Sequence, residues 1–128
     1  MSLSDSYGRP RPSGGLELRS WLFMRFSGLL LLFLALGHLV IMHLVNNVEV
    51  INYAFVANRY AGWGWRAYDL LMLVLAMIHG VNGARVVIDD YLRQGPWRAT
   101  ALSALYLVCG SLLLLGIYAA LFFKPLPS

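Results

Sequence analysis

The chain has 128 residues, 59% hydrophobic and only 12% charged. That is too apolar for a soluble domain, where about a quarter of residues carry charge, and it reads as one compact membrane domain with no room for a second. The formal net charge of +4 comes from scattered arginines with no basic stripe interleaved with aromatics, which argues against a nucleic-acid partner. The lone Cys109 has no internal disulfide partner and no C-x-x-C neighbour for a metal, so its apolar surroundings give it a packing role.

In chain order, residues 1–20 come first, rich in Ser, Gly, Pro and Arg (GRPRPSGG over 8–15) with little to bury. They read as a polar tail, and residues 21–128 as the membrane domain. The first span is expected over about residues 21–45. Leu29–Leu36 is almost pure leucine and phenylalanine, and a hydrocarbon core of ~30 Å needs about 20 helical residues. Trp21 and Arg25 stand at its start as interfacial anchors do. Asn46, Asn47 and Glu49 end it. Residues 47–66 mix Tyr53, Tyr60, Trp63 and Trp65 with Gly62 and Gly64, the pattern of an interfacial loop with a short surface helix. A second span is expected over about 67–91, with Asp69 near its start. Gln94-Gly95-Pro96 breaks the helix, because proline cannot continue it and glycine ends it cheaply. A third span, about 97–123, is apolar apart from Thr100, Ser103 and Ser111. The fold class is therefore all-α and integral to the membrane, with three transmembrane helices.

Charge placement sets an orientation. With three spans, the N-terminal tail and the second loop share one side. That side carries Arg9, Arg11, Arg19, Arg25, Arg85, Arg93 and Arg98, against Arg59, Arg66 and Lys124 on the other. Positive charge stays inside, so the N-terminus is expected in the cytoplasm and the C-terminus outside. Asp90, Tyr91, Arg25 and Ser27 are then expected together at the cytoplasmic face.

The most informative stretch is AMIHGVNGARVVIDDY, Ala76–Tyr91. It puts His79, Asn82 and Arg85 where lipid-facing residues should be apolar, and polar groups inside a bilayer usually face protein and mark function. His79 and Asp90 lie 11 residues apart, which returns to nearly the same helix face about 16 Å along the axis. Gly80 and Gly83 leave room beside the histidine for a flat group or another helix. Imidazole ligates b-type haem iron, so His79 is a candidate axial ligand; the plain alternative is a neutral histidine bonded to a neighbouring helix. His38 lies 11 residues beyond Ser27. Since the spans run antiparallel, the two histidines are expected at similar depth, so that His38 either shares one haem with His79 or neighbours it. A simple interhelical bond is the other reading of His38. His43 falls on another face and reads as structural. Arg25 and Arg85 are candidate partners for haem propionates, since arginine pairs bidentately with carboxylate; the alternative is snorkelling to headgroups. Tyr91, with Asp90 and Ser27, is the candidate quinone site. There a tyrosine hydroxyl donates to the quinone carbonyl and a carboxylate holds water or delivers protons. An aromatic-belt tyrosine beside a helix-ending aspartate is the alternative.

Three spans, a histidine in the second, and Asp-Tyr 11 and 12 residues after it resemble the small hydrophobic anchor subunit of succinate dehydrogenase, complex II. The match is specific at His79, Gly83, Asp90 and Tyr91. The run WLFMRFSG (Trp21–Gly28) with GHLVIM (Gly37–Met42) resembles the actinobacterial branch, and the likeness covers roughly Trp21 to Phe123. The resemblance implies that His79 is an axial ligand of haem b, the other ligand usually coming from a sister anchor subunit. It implies that Tyr91 bonds the quinone, ubiquinone or menaquinone, with Asp90 beside it. It further implies a larger helical bundle with the sister anchor, iron–sulphur and flavoprotein partner subunits, and a place in the cell inner (plasma) membrane. His38 and His43 depart from the pattern of single-haem members. On this expectation electrons pass from the iron–sulphur subunit to quinone. A quinol:fumarate reductase anchor and a cofactor-free helical scaffold are the rival readings.

Overall fold

A computed structural model describes residues 15–124. Its α-helices are α1 (Gly15–Leu39), the short α2 (Tyr53–Arg59), α3 (Trp63–Tyr91) and α4 (Pro96–Phe122), with no strand among the described residues. Three stretches are long and apolar enough to cross a membrane: Leu18–Val45, Trp63–Tyr91 and Pro96–Phe122. The first helix starts at Gly15, six residues inside the segment expected to be tail; residues 1–14 of that segment lie outside the described residues. Leu18, Trp21 and Leu22, spaced i, i+3 and i+4, carry the helix back past the expected boundary. Likewise Trp63 and Trp65, expected in the loop, form the first turn of α3. Gly62 precedes that turn, and the aromatics stand where the chain enters the apolar layer.

Each end of these helices has a local cause. The last turn of the first span widens to π geometry over Val40–Val45 and stops where the Asn46 amide caps the Ile41 carbonyl at 2.7 Å. Asn52 accepts the Phe55 N–H at 3.0 Å and starts α2, a side-chain N-cap. Between α3 and α4 the chain turns at Gly95, whose φ of 156° few residues other than glycine adopt. Pro96 then occupies the first helical turn, where its missing N–H costs nothing.

α3 is the central element, packing more extensively on α4 than on α1. Against α4 it meets Gly116, where a Cβ would fall 2.6 Å from Leu73 Cδ2; close approach of backbones is how membrane helices gain dispersion energy without a hydrophobic drive. Against α1 the register is antiparallel and fixed at three levels. The Tyr68 hydroxyl bonds the Leu34 carbonyl and closes on Gly37. His38 Nε2 lies 4.0 Å from Asp69 Oδ1. Ser27 Oγ lies 2.9 Å from His79 Nδ1. Outside these contacts the helices show lipid-compatible surface, with Phe26, Phe33, Leu107 and Tyr118 all exposed. Ala57 and Ala120 are the buried apolar residues among those described, so the three spans form a thin layer rather than a closed core.

The end of the layer where α1 stops and α3 begins is held by two arginines. Arg66 Nη1 donates to the Ala120 and Leu121 carbonyls and Nη2 to that of Phe123, so a cation closes the negative end of α4. Arg59 lies under Trp65, 4.1 Å from its ring centroid, and donates to Asp69 Oδ1 at 3.1 Å. Tyr60 donates to Asp69 Oδ2 at 3.0 Å, and burial first, then the Asp69 charge, raises its hydroxyl above the ordinary tyrosine pKa. The hydroxyl therefore stays a donor through the neutral range. Side-chain exposure is 6% for Arg59 and 16% for Asp69, so removing one partner strands the other. Asp69→Ala should cost about 2–3 kcal/mol, less than the ~3–5 of a fully buried pair because some water reaches the carboxylate. Arg59→Met with Asp69→Leu should recover most of it. Thermal unfolding of the assembled protein in detergent is the check; a melting point unmoved by Asp69→Ala would show the pair is idle.

Candidate functional site

His79 sits midway along α3, and its ring faces α1. Nδ1 meets Ser27 Oγ at 2.9 Å, while Cε1 lies 3.0 Å from where a Cβ on Gly28 would stand. Glycine at 28 is therefore what lets the imidazole edge approach the α1 backbone. Ser27 is 2% exposed, and its hydroxyl also lies 3.4 Å from the Met24 carbonyl. Nε2 of His79 has no hydrogen-bond partner among the described residues. The arrangement fits haem iron in its donor set: one ring nitrogen is held by Ser27, and the other has no protein partner among the described residues.

Two expectations are corrected by this register. His38 does not share the depth of His79. It stands opposite Asp69, ten residues before His79 on α3, about 15 Å along the axis. The reason is that Ser27, not His38, is the residue of α1 that meets His79. The two histidines cannot ligate one iron within this chain. Ser27, in turn, does not join Tyr91 and Asp90. The 12 residues from His79 to Tyr91 put the tyrosine about 18 Å further along α3, and α1 runs back to Gly15 on that side. Ser27 thus lies inside the bilayer layer with His79, not at a surface quinone site.

Tyr91 closes α3, 85% exposed, with Asp90 beside it, also exposed. Next to them Arg98 holds Asp89 through Nη2 at 2.6 Å and Nε at 2.7 Å, tying the end of α3 to the start of α4. The face that carries Tyr91 is therefore braced, and its phenol points out of the chain. His43 is exposed in the π turn.

The arginines are not gathered round His79. Arg25 stacks on Trp21, 4.1 Å from its ring. It precedes Ser27 by two residues, about 200° round α1, and so turns away from α3. Arg85 follows His79 by six residues, about 240° round α3. It lines a cleft of about 410 Å³ between the three spans, with Ser20, Asn82, Tyr106 and Cys109. Sequence reasoning missed that cleft and Tyr106, since α4 shows no periodic signal that would aim a tyrosine inward. It also missed the bond between Ser27 and His79, which only the helix register reveals.

Comparisons with known proteins bear on this geometry. The model of a family described as succinate dehydrogenase/fumarate reductase transmembrane subunit matches residues 6–118. A curated relative from Archaeoglobus fulgidus, the succinate dehydrogenase hydrophobic membrane anchor subunit, is 31% identical over 90 residues. Those cover 70% of this chain and 75% of that protein.

Proposed function

The chain belongs to the family of succinate dehydrogenase/fumarate reductase transmembrane subunits, and from that premise we propose that it anchors a succinate:quinone oxidoreductase, holds haem b through His79 and supplies part of the quinone site at Tyr91. The chain is a multi-pass membrane protein of the anchor type. The observation that carries the finer reading is His79 itself: a mid-span imidazole with one nitrogen tied to a buried serine and the other free of partners among the described residues.

Each role follows from position. His79 Nε2 would bind the iron. With His38 about 15 Å away along the helices, the second axial ligand would come from the sister anchor subunit, against which the exposed apolar faces of the spans can pack. Haem, when bound, would supply a one-electron store on the same helix as the quinone site. Tyr91 would donate its hydroxyl to a quinone carbonyl and Asp90 would hold water or pass protons at the same surface. The iron–sulphur subunit, with the flavoprotein subunit behind it, would dock over this face. No dehydrogenase chemistry is assigned to this chain; succinate is oxidised by its partners. The same parts serve a fumarate reductase run in reverse, and the family description covers both; cofactor potentials set the direction.

The test is an optical spectrum with haem and flavin quantification on the complex that copurifies with this chain. A reduced b-type band in fixed ratio to flavin is expected; its absence would remove the haem assignment. Arginine placement further predicts that an N-terminal tag is shielded in the cytoplasm and a C-terminal tag is reachable from outside. A C-terminal reporter active only in the cytoplasm would invert that topology.

A further inference from the structure

The bond between Ser27 and His79 is a side-chain bond between two spans, made at a residue that is almost fully buried. Its direction follows from the neighbours of the hydroxyl. Ser27 Oγ lies 2.9 Å from His79 Nδ1 and 3.4 Å from the Met24 carbonyl. A hydroxyl has one proton. The Met24 carbonyl can only accept, so the arrangement that uses both contacts has Ser27 donating to Met24 and His79 Nδ1–H donating to Ser27; in the other ring tautomer Ser27 would donate to Nδ1 and leave the longer Met24 contact unmade. The first arrangement leaves Nε2 unprotonated. It is the tautomer iron requires, and the bond at one ring nitrogen decides the state of the other. Gly28 completes the arrangement, since its missing Cβ lets the ring lie against α1 while Nδ1 reaches the hydroxyl.

We propose that Ser27 is a positioning residue for His79: it fixes the ring's tautomer and orientation and sets the electron density that Nε2 offers the iron. The inference rests on the reading of His79 as a haem ligand. Its consequence is directional. A hydrogen bond from Nδ1–H makes the imidazole a better donor, which favours ferric iron and lowers the reduction potential. Ser27→Ala removes the acceptor and leaves a ring that can rotate or protonate at Nε2. Ser27→Thr keeps the hydroxyl.

The experiment uses the full complex, purified from cells carrying each variant and scored first for subunit assembly. Haem content, midpoint potential and the g values of the low-spin ferric signal are then measured. Ser27→Ala should raise the midpoint potential and move the g values, or lose haem outright while the subunits stay assembled; Ser27→Thr should restore the parent values. If His79→Ala strips the haem while Ser27→Ala keeps the parent potential and g values, the positioning role falls and the ligand assignment stands. If His79→Ala keeps the haem, the ligand assignment falls and the Ser27 role with it. If Ser27→Ala loses haem and Ser27→Thr restores none, the hydroxyl is not what holds the site, and the proposal is overturned. Should Ser27→Ala fail to assemble, potentials measured on the Ser27→Cys complex decide: a raised value supports the role, and the parent value overturns it.

Discussion

Replacing His79 with alanine should give a complex that assembles and carries almost no haem assigned to this chain. The substitution removes the one imidazole that α3 carries, while little holds the fold through it. Ser27 keeps the Met24 carbonyl as a partner, so no buried hydroxyl is stranded. The Tyr68 bond to Leu34 still pins α1 to α3. His38→Ala supplies the control. His38 lies opposite Asp69 at the other end of the layer, so its loss should leave haem per flavin unchanged. Pyridine haemochrome per flavin in the purified complexes reads both. Equal haem in His79→Ala and parent would sink the assignment; loss in His38→Ala alone would move the ligand to the far end of the span.

The contrast between these histidines shows which parts of the molecule can be read from the chain alone. The three spans are legible because the bilayer demands about 20 apolar residues at a stretch, and Leu29–Leu36 or Leu112–Leu115 answers no other need. The break at Gly95-Pro96 is legible for a similar reason, since local backbone chemistry alone enforces it. Register is different. Sliding α1 along α3 by one or two turns leaves each helix's own sequence equally apolar, so periodicity cannot choose. The choice is made by small sites that act in pairs: Gly28 admits His79, Gly37 admits the Tyr68 hydroxyl, and Asp69 draws Arg59 and Tyr60. None is marked in a single strand of sequence. That is why sequence alone groups Ser27 with Tyr91 while the fold sets it against His79. The capping of α4 by Arg66 was hidden likewise, because it joins residues more than 50 positions apart.

Phenylalanine at position 91 should leave the complex assembled and its haem in place, yet sharply slow quinone reduction. Tyr91 is exposed at the end of α3, and its ring fills no part of the described interior, so removing the hydroxyl costs the fold little. The site beside it does not move: Arg98 keeps its grip on Asp89, and Asp90 keeps its place on the helix. What is lost is a donor. A quinone carbonyl gains negative charge as it is reduced, so a hydrogen bond to it strengthens along the reaction and lowers the barrier rather than only tightening binding. Loss of one such donor costs ~2.7–4 kcal/mol in well-studied oxyanion sites, a factor of about 10²–10³ in rate. A smaller loss is expected wherever the pocket holds other donors to the same oxygen. The effect should fall on kcat more than on KM. Succinate oxidation with an artificial acceptor that draws electrons from the soluble subunits should persist at the parent rate, which separates a lost donor from a lost partner. The two assays together decide. Parent-like rates with quinone would make Tyr91 a belt aromatic at the membrane edge, and a joint fall of both rates would mean that the substitution disturbed docking instead.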